Sequence, residues 1–198
     1  MRFTSLKNLS FGLALVSLVS VGVASAQSLV GVNAKLDRTL DSKNATVGQA
    51  VTAKLDGSVT LDGTRLGRGV ELIGKVAEVK NAEGSPASVT LLFTSAKLKD
   101  GKEIPVKATL LAAYPEVDPV GESLGDGSGL PAPAHVDADR TFDQEPGALS
   151  RVAMNSAVKN ADSGTFSSTN GNFKLLAGTN LQVGVAPATQ AAGTNAAE

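Results

Sequence analysis

Gly48-Gln49-Ala50-Val51-Thr52-Ala53-Lys54-Leu55 opens a stretch that runs to Tyr114 and decides the fold. Ser58-Val59-Thr60-Leu61, residues 70–80, residues 89–98 and residues 103–114 follow it, with a glycine-bearing turn in each gap. Apolar and polar residues alternate in most of these segments, and successive strand side chains point to opposite faces, so each segment reads as a strand with one face in a core. Asp62-Gly63 and Asp100-Gly101 sit where tight hairpins need a positive φ. The pattern predicts a meander of short antiparallel strands.

Within residues 70–80, Val70 and Leu72 share one phase while Ile73, Ala77 and Val79 share the other, with Gly74 between them. A phase change beside a glycine predicts a β-bulge, which bends a strand and lets a sheet curl towards closure. Val89-Thr90-Leu91-Leu92-Phe93 is apolar on both faces, as a doubly covered strand requires.

Outward from the meander, residues 29–36 predict a first strand, with Val30, Val32, Ala34 and Leu36 in one phase. Phe173-Lys174-Leu175-Leu176-Ala177-Gly178-Thr179-Asn180-Leu181-Gln182-Val183-Gly184-Val185 predicts one strand, or two with a kink at Gly178. It needs a sheet edge, and closing a barrel beside the first strand is the economical solution. Residues 115–172 read as a long loop region rich in proline and glycine, interrupted by a short helix over 148–159 that places Leu149, Val152, Ala153 and Ala157 near one face. Residues 186–198 are small and polar and read as a disordered tail. The expected fold is all-β: a single antiparallel barrel, or barrel-like sandwich, of about seven strands over residues 27–185.

The N-terminus carries Arg2 and Lys7, then an apolar run over residues 11–23 ending in Ala24-Ser25-Ala26 before Gln27. A basic start, a short apolar middle and a small-residue exit are the parts of a secretory signal peptide, here residues 1–26. The run is shorter than the roughly 20 residues a membrane-spanning helix needs. The expected destination is the periplasm, an outer-membrane association or the cell exterior. Removing residues 1–26 leaves 172 of the 198 residues, with 16 basic against 19 acidic side chains, too little and too dispersed a charge for a nucleic-acid footprint. The chain has no cysteine, which excludes disulfide staples, thiolate catalysis and lipidation at a mature N-terminal cysteine. It has no tryptophan and one tyrosine, Tyr114, so stacking platforms for sugars or bases are scarce.

Two residue clusters carry a chemical alternative. Gly121-Glu122-Ser123-Leu124-Gly125 matches a nucleophile elbow, which would make Ser123 a hydrolase nucleophile with His135, the single histidine, as its base. No helix pattern follows Ser123, and the surroundings are a β meander rather than an α/β sheet. His135, Asp137, Asp139 and Asp143 bring ligand-type residues into one segment, where residues two apart share a face and a divalent cation has oxygen donors. Thr141 and Phe142 break the spacing of a calcium-binding loop, and a solvated acidic loop explains the same residues. Arg65 and Arg68, among Gly63, Gly67 and Gly69, offer a small basic rim to an anionic partner, though turn solvation explains them better, and Asn44-Ala45-Thr46 fits a glycosylation acceptor. The expectation is therefore a non-enzymatic chain with no catalytic, cofactor or metal residues.

One resemblance sharpens this. Leu61-Asp62-Gly63-Thr64-Arg65-Leu66-Gly67-Arg68-Gly69-Val70-Glu71-Leu72-Ile73-Gly74, with Leu98-Lys99-Asp100-Gly101-Lys102-Glu103-Ile104, resembles the β-domain of TrbI-like proteins, the outer-membrane core components of conjugation and type IV secretion channels. Gly127-Ser128-Gly129-Leu130-Pro131 resembles that family's glycine- and leucine-rich loop, and Leu176-Ala177-Gly178-Thr179-Asn180-Leu181-Gln182-Val183 its closing strand. The resemblance implies a barrel that packs side by side into rings with protein partners of the cell envelope, itself included, and that has no catalytic site. It is partial: where the family inserts helices that cross the outer membrane, this chain offers residues 148–159, broken by Arg151, Asn155 and Lys159.

Overall fold

A computed structural model describes residues 28–81, 86–116 and 131–188. The sequence-predicted signal peptide (1–26), Ser123 and most of the terminal tail lie outside the described residues. The strands are β1 (Val30–Leu36), β2 (Leu40–Asp41), β3 (Ala50–Leu55), β4 (Val59–Leu61), β5 (Thr64–Leu66), β6 (Glu71–Lys80) and β7 (Ala87–Lys97). They continue with β8 (Glu103–Tyr114), β9 (Thr141–Leu149), β10 (Val152–Ala157), β11 (Gly164–Ser168), β12 (Lys174–Leu175) and β13 (Asn180–Pro187).

Six strands close an antiparallel barrel in the order β6, β3, β1, β13, β8, β7, with β7 pairing back onto β6. The expected closure holds, since β13 pairs with β1 from Val30 opposite Val185 to Lys35 opposite Asn180. The interior is filled by the alternating inward residues, among them Ala34, Leu55, Leu72, Leu91, Phe93, Leu110 and Val183, all 2% exposed or less. Alanine, valine and leucine suit a six-stranded barrel because its bore is narrow. The β6–β7 register shifts twice: between Ile73 and Gly74 the extra residue is Thr94 of β7, and between Val76 and Glu78 it is Ala77 of β6, so the bulge expected in this strand lies three residues beyond Gly74. A Cβ on Gly74 would lie 2.5 Å from the Leu92 carbonyl oxygen and 2.8 Å from Phe93 Cα, so the strands approach here only because the side chain is missing. Asp62 and Gly63 both take positive φ (46° and 78°), the backbone of a type I′ hairpin turn.

The structure corrects the sequence reading in five places, the first being residues 141–149 of the expected loop region, which form strand β9. Residues 148–159 form no helix: Leu149 ends β9, Ser150-Arg151 turns with Arg151 at φ 67°, and β10 follows. Val152, Met154 and Ser156 are buried there with a period of two, the strand period, and the longer 148–157 spacing mimics a helical face only because the turn intervenes. Residues 164–172, expected as a polar loop, contain β11, whose inward residues are Gly164, Phe166 and Ser168. The β4–β5 hairpin is a separate two-stranded sheet rather than a barrel strand. The chain splits at Gly178 (φ 86°) into β12 and β13, and β13 runs on through Ala186 and Pro187 opposite Lys107 and Val106, so the first residues of the expected tail are ordered strand.

The barrel seam positions everything else. β7 and β8 pair only from Ser95 opposite Pro105 to Lys97 opposite Glu103, after which they part. β11 then takes over the vacated edge of β7, from Ala87 opposite Ser168 to Leu91 opposite Gly164, and β10 and β9 add on beyond it. β9–β11 thus form an arm wedged into the opening between two barrel strands. No helix long and apolar enough to cross a membrane occurs among the described residues.

Candidate interaction surface

The arm is joined to β8 by side chains where a ladder would otherwise run. The Ala113 N–H donates to Gln144 Oε1 at 2.8 Å, and Gln144 Nε2 donates to the Ala113 carbonyl at 2.7 Å, so one side-chain amide copies a peptide group of a neighbouring strand. The Ser156 hydroxyl donates to the Leu110 carbonyl, and the Leu110 N–H donates to the Ser163 carbonyl at 2.7 Å. Buried backbone groups need partners, and these three residues supply them where β8 has lost β7. Sequence reasoning missed all three, because a buried serine or a half-buried glutamine carries no hydrophobic periodicity.

At one end of the barrel the β9–β10 turn, the two residues that follow β8 and the β12–β13 link enclose a cleft of about 410 Å³ lined by Pro115, Glu116, Leu149, Val152, Lys174 and Leu176. Thr179 shapes its wall, donating both its N–H (3.1 Å) and its hydroxyl (2.7 Å) to the Leu176 carbonyl. Leu176 itself is 61% exposed and borders this concave surface. Lys174 Nζ sits 3.1 Å from Asp41 Oδ2 and clasps β12 to β2. Burial opposes ionisation of Asp41, but the hydrogen bonds from Lys174 and from the Lys43 N–H, together with the charges of both lysines, outweigh it and hold this carboxyl below its ordinary value. The lining mixes the apolar side chains of Leu149, Val152 and Leu176 with the charged Lys174 and Glu116.

The sequence-predicted metal-type residues do not converge, and Ser123 lies outside the described residues. His135, Asp137 and Asp139 are exposed on the segment that crosses the outside of the barrel, while Asp143 lies on β9, where its carboxylate accepts from Asn155 Nδ2. Among the described residues, no three His, Asp or Glu side chains converge as a metal site. Arg68 is spent on Asp56 at 2.7 Å, and Asn44 stays in its turn, donating to Asp41. No protein-family model and no curated protein matches the chain.

Proposed function

We propose that the chain is an exported, non-catalytic protein of the cell envelope whose barrel serves assembly with protein partners, similar in role to the barrel of a secretion-channel core. The observation that carries this reading is the exposed Leu176 beside the cleft at the barrel end, on a scaffold whose interior is packed solid by its own side chains. A partner that covered Leu176 together with the cleft it borders would remove apolar surface from water on both sides of the contact. The basic, apolar and small-residue pattern of residues 1–26 supports export to the periplasm, the outer-membrane surface or beyond.

Fractionation of a host expressing the full chain tests it. The expected result is a mature protein beginning at Gln27 in the envelope fraction, running on a native gel as a complex that Leu176→Asp breaks while the melting temperature holds. An uncleaved chain in the cytosol, or a complex indifferent to Leu176→Asp, overturns the reading.

A further inference from the structure

Beyond Gly31 in the direction of its N-terminus, β1 runs past the end of β3, whose pairing covers only Ala34 to Leu36. The open edge is filled from the chain itself. The Leu29 N–H donates to the Val136 carbonyl at 3.0 Å, the Val136 N–H donates back to Leu29 at 2.8 Å, and the Gly31 N–H donates to the Pro133 carbonyl at 3.0 Å. Residues 131–136 therefore lie along β1, held by one isolated antiparallel bridge at Leu29–Val136 and a further bond at Gly31, a short form of the main-chain mode by which sheet edges take up extended peptides.

The barrel surface beneath is shaped for this strand. Gly31 pairs with Gly184 across β1 and β13, leaving no side chains at that spot. A Cβ on Gly31 would collide with the Pro133 carbonyl oxygen, and one on Gly184 would come within 3.2 Å of Leu29 Cβ and 3.3 Å of Leu111 Cδ2. Leu29, Leu111, Val136, Val158 and Ala186 form a second small core outside the barrel. Of residues 131–140, Val136 is the one buried side chain; Pro131, Pro133, Ala134 and His135 are exposed. The docking is specific in shape and light in anchorage, which is the condition for exchange.

We infer that the Leu29–Gly31 edge is a strand-docking site, filled in cis by residues 131–136 and open to the same residues of a second copy of this chain. The second copy is the fitting occupant because its segment 131–136 already has the proline, the small residues and the valine that this edge receives. The inference rests on the assembly reading above and gives it a named contact.

The absence of cysteine makes a clean test. Ser28 and Asp137 flank the Leu29–Val136 pair and are both exposed. Full-length chains carrying Ser28→Cys alone and Asp137→Cys alone are mixed and oxidised, so that a disulfide joining the two positions forms only between copies. A docked pair reacts at the high effective concentration of a tethered one, so the mixed disulfide should exceed that of a Ser28→Cys and Asp100→Cys mixture by about tenfold. Excess peptide of residues 131–138 should remove the difference. Equal yields from the two mixtures, or no effect of the peptide, overturn the inference. Light scattering on the same samples separates the two failures: a discrete oligomer without the mixed disulfide refutes this contact and leaves assembly standing, whereas a monomer refutes assembly as well.

Discussion

Ser163 and Phe93, 70 residues apart in the chain, are joined by a buried hydrogen bond of 2.9 Å from the Phe93 N–H to the Ser163 hydroxyl. The same serine donates its N–H to the Leu91 carbonyl at 2.8 Å and accepts the Leu110 N–H at 2.7 Å. One residue, 0% exposed, thus stitches β7 to β8 at the height where their own ladder has ended. Removing its hydroxyl in Ser163→Ala strands the Phe93 N–H, at an expected cost of about 1–3 kcal/mol. For a chain of this size that lowers the melting temperature by several degrees, roughly 2–4 °C per kcal/mol. A melting temperature equal to that of the parent would show the bond to be dispensable.

Gln144 fastens the arm to β8 at Ala113 through both atoms of its amide. In Gln144→Glu the carboxylate still accepts from the Ala113 N–H but sets a negative oxygen against the Ala113 carbonyl. The protonated acid can donate there, so this variant should approach parental stability below about pH 4 and fall behind as pH rises through the carboxyl titration. Urea midpoints at pH 4 and pH 7 measure the difference, about 1–3 kcal/mol at the higher pH.

Gly74→Ala places a methyl group against the Leu92 carbonyl and Phe93 where the β6–β7 bulge forms. Overpacking of this kind costs about 1–3 kcal/mol, read as a lower urea midpoint with an unchanged slope. Gly63→Ala tests a different cause, since a Cβ there meets no neighbour and only the positive φ is strained. It should cost about 1 kcal/mol or more, less than the core clash.

The Asp41–Lys174 clasp sets an acid limb on stability. Asp41 has a folded pKa below its ordinary value of 3.8, so its contribution is present above that value and is lost as pH falls through the folded pKa. Thermal melts across the acid range should fall less steeply for Asp41→Asn than for the parent. Parallel curves would show that the clasp is not linked to folding.

Calcium should leave the melting temperature unchanged, because His135, Asp137, Asp139 and Asp143 do not converge. A ligand that binds the folded state alone would raise it.

What could be read in advance follows the physics of each element. β1, β3, β6, β7, β8 and β13 are legible because they bury files of Val, Leu and Ala, and a closed barrel needs β13 beside β1. The bulge of β6 was legible only in outline: Leu72, Gly74 and Val76 are buried in one phase, and the extra residue is Ala77 rather than a neighbour of Gly74. The arm was illegible because β9 is largely exposed and carries Pro146 and Gly147, while β11 turns Gly164 and Ser168 inward. Such strands are held by partners distant in sequence rather than by their own pattern. The cleft was illegible for a similar reason: Leu176 looks like one more core residue of a strand, and only the break at Gly178 leaves it outside.

The most direct test of assembly as the function is the native mass of the exported chain by size exclusion with light scattering, at two protein concentrations and two salt levels. The account predicts a discrete oligomer whose mass does not change with concentration. A monomer under all four conditions would contradict it.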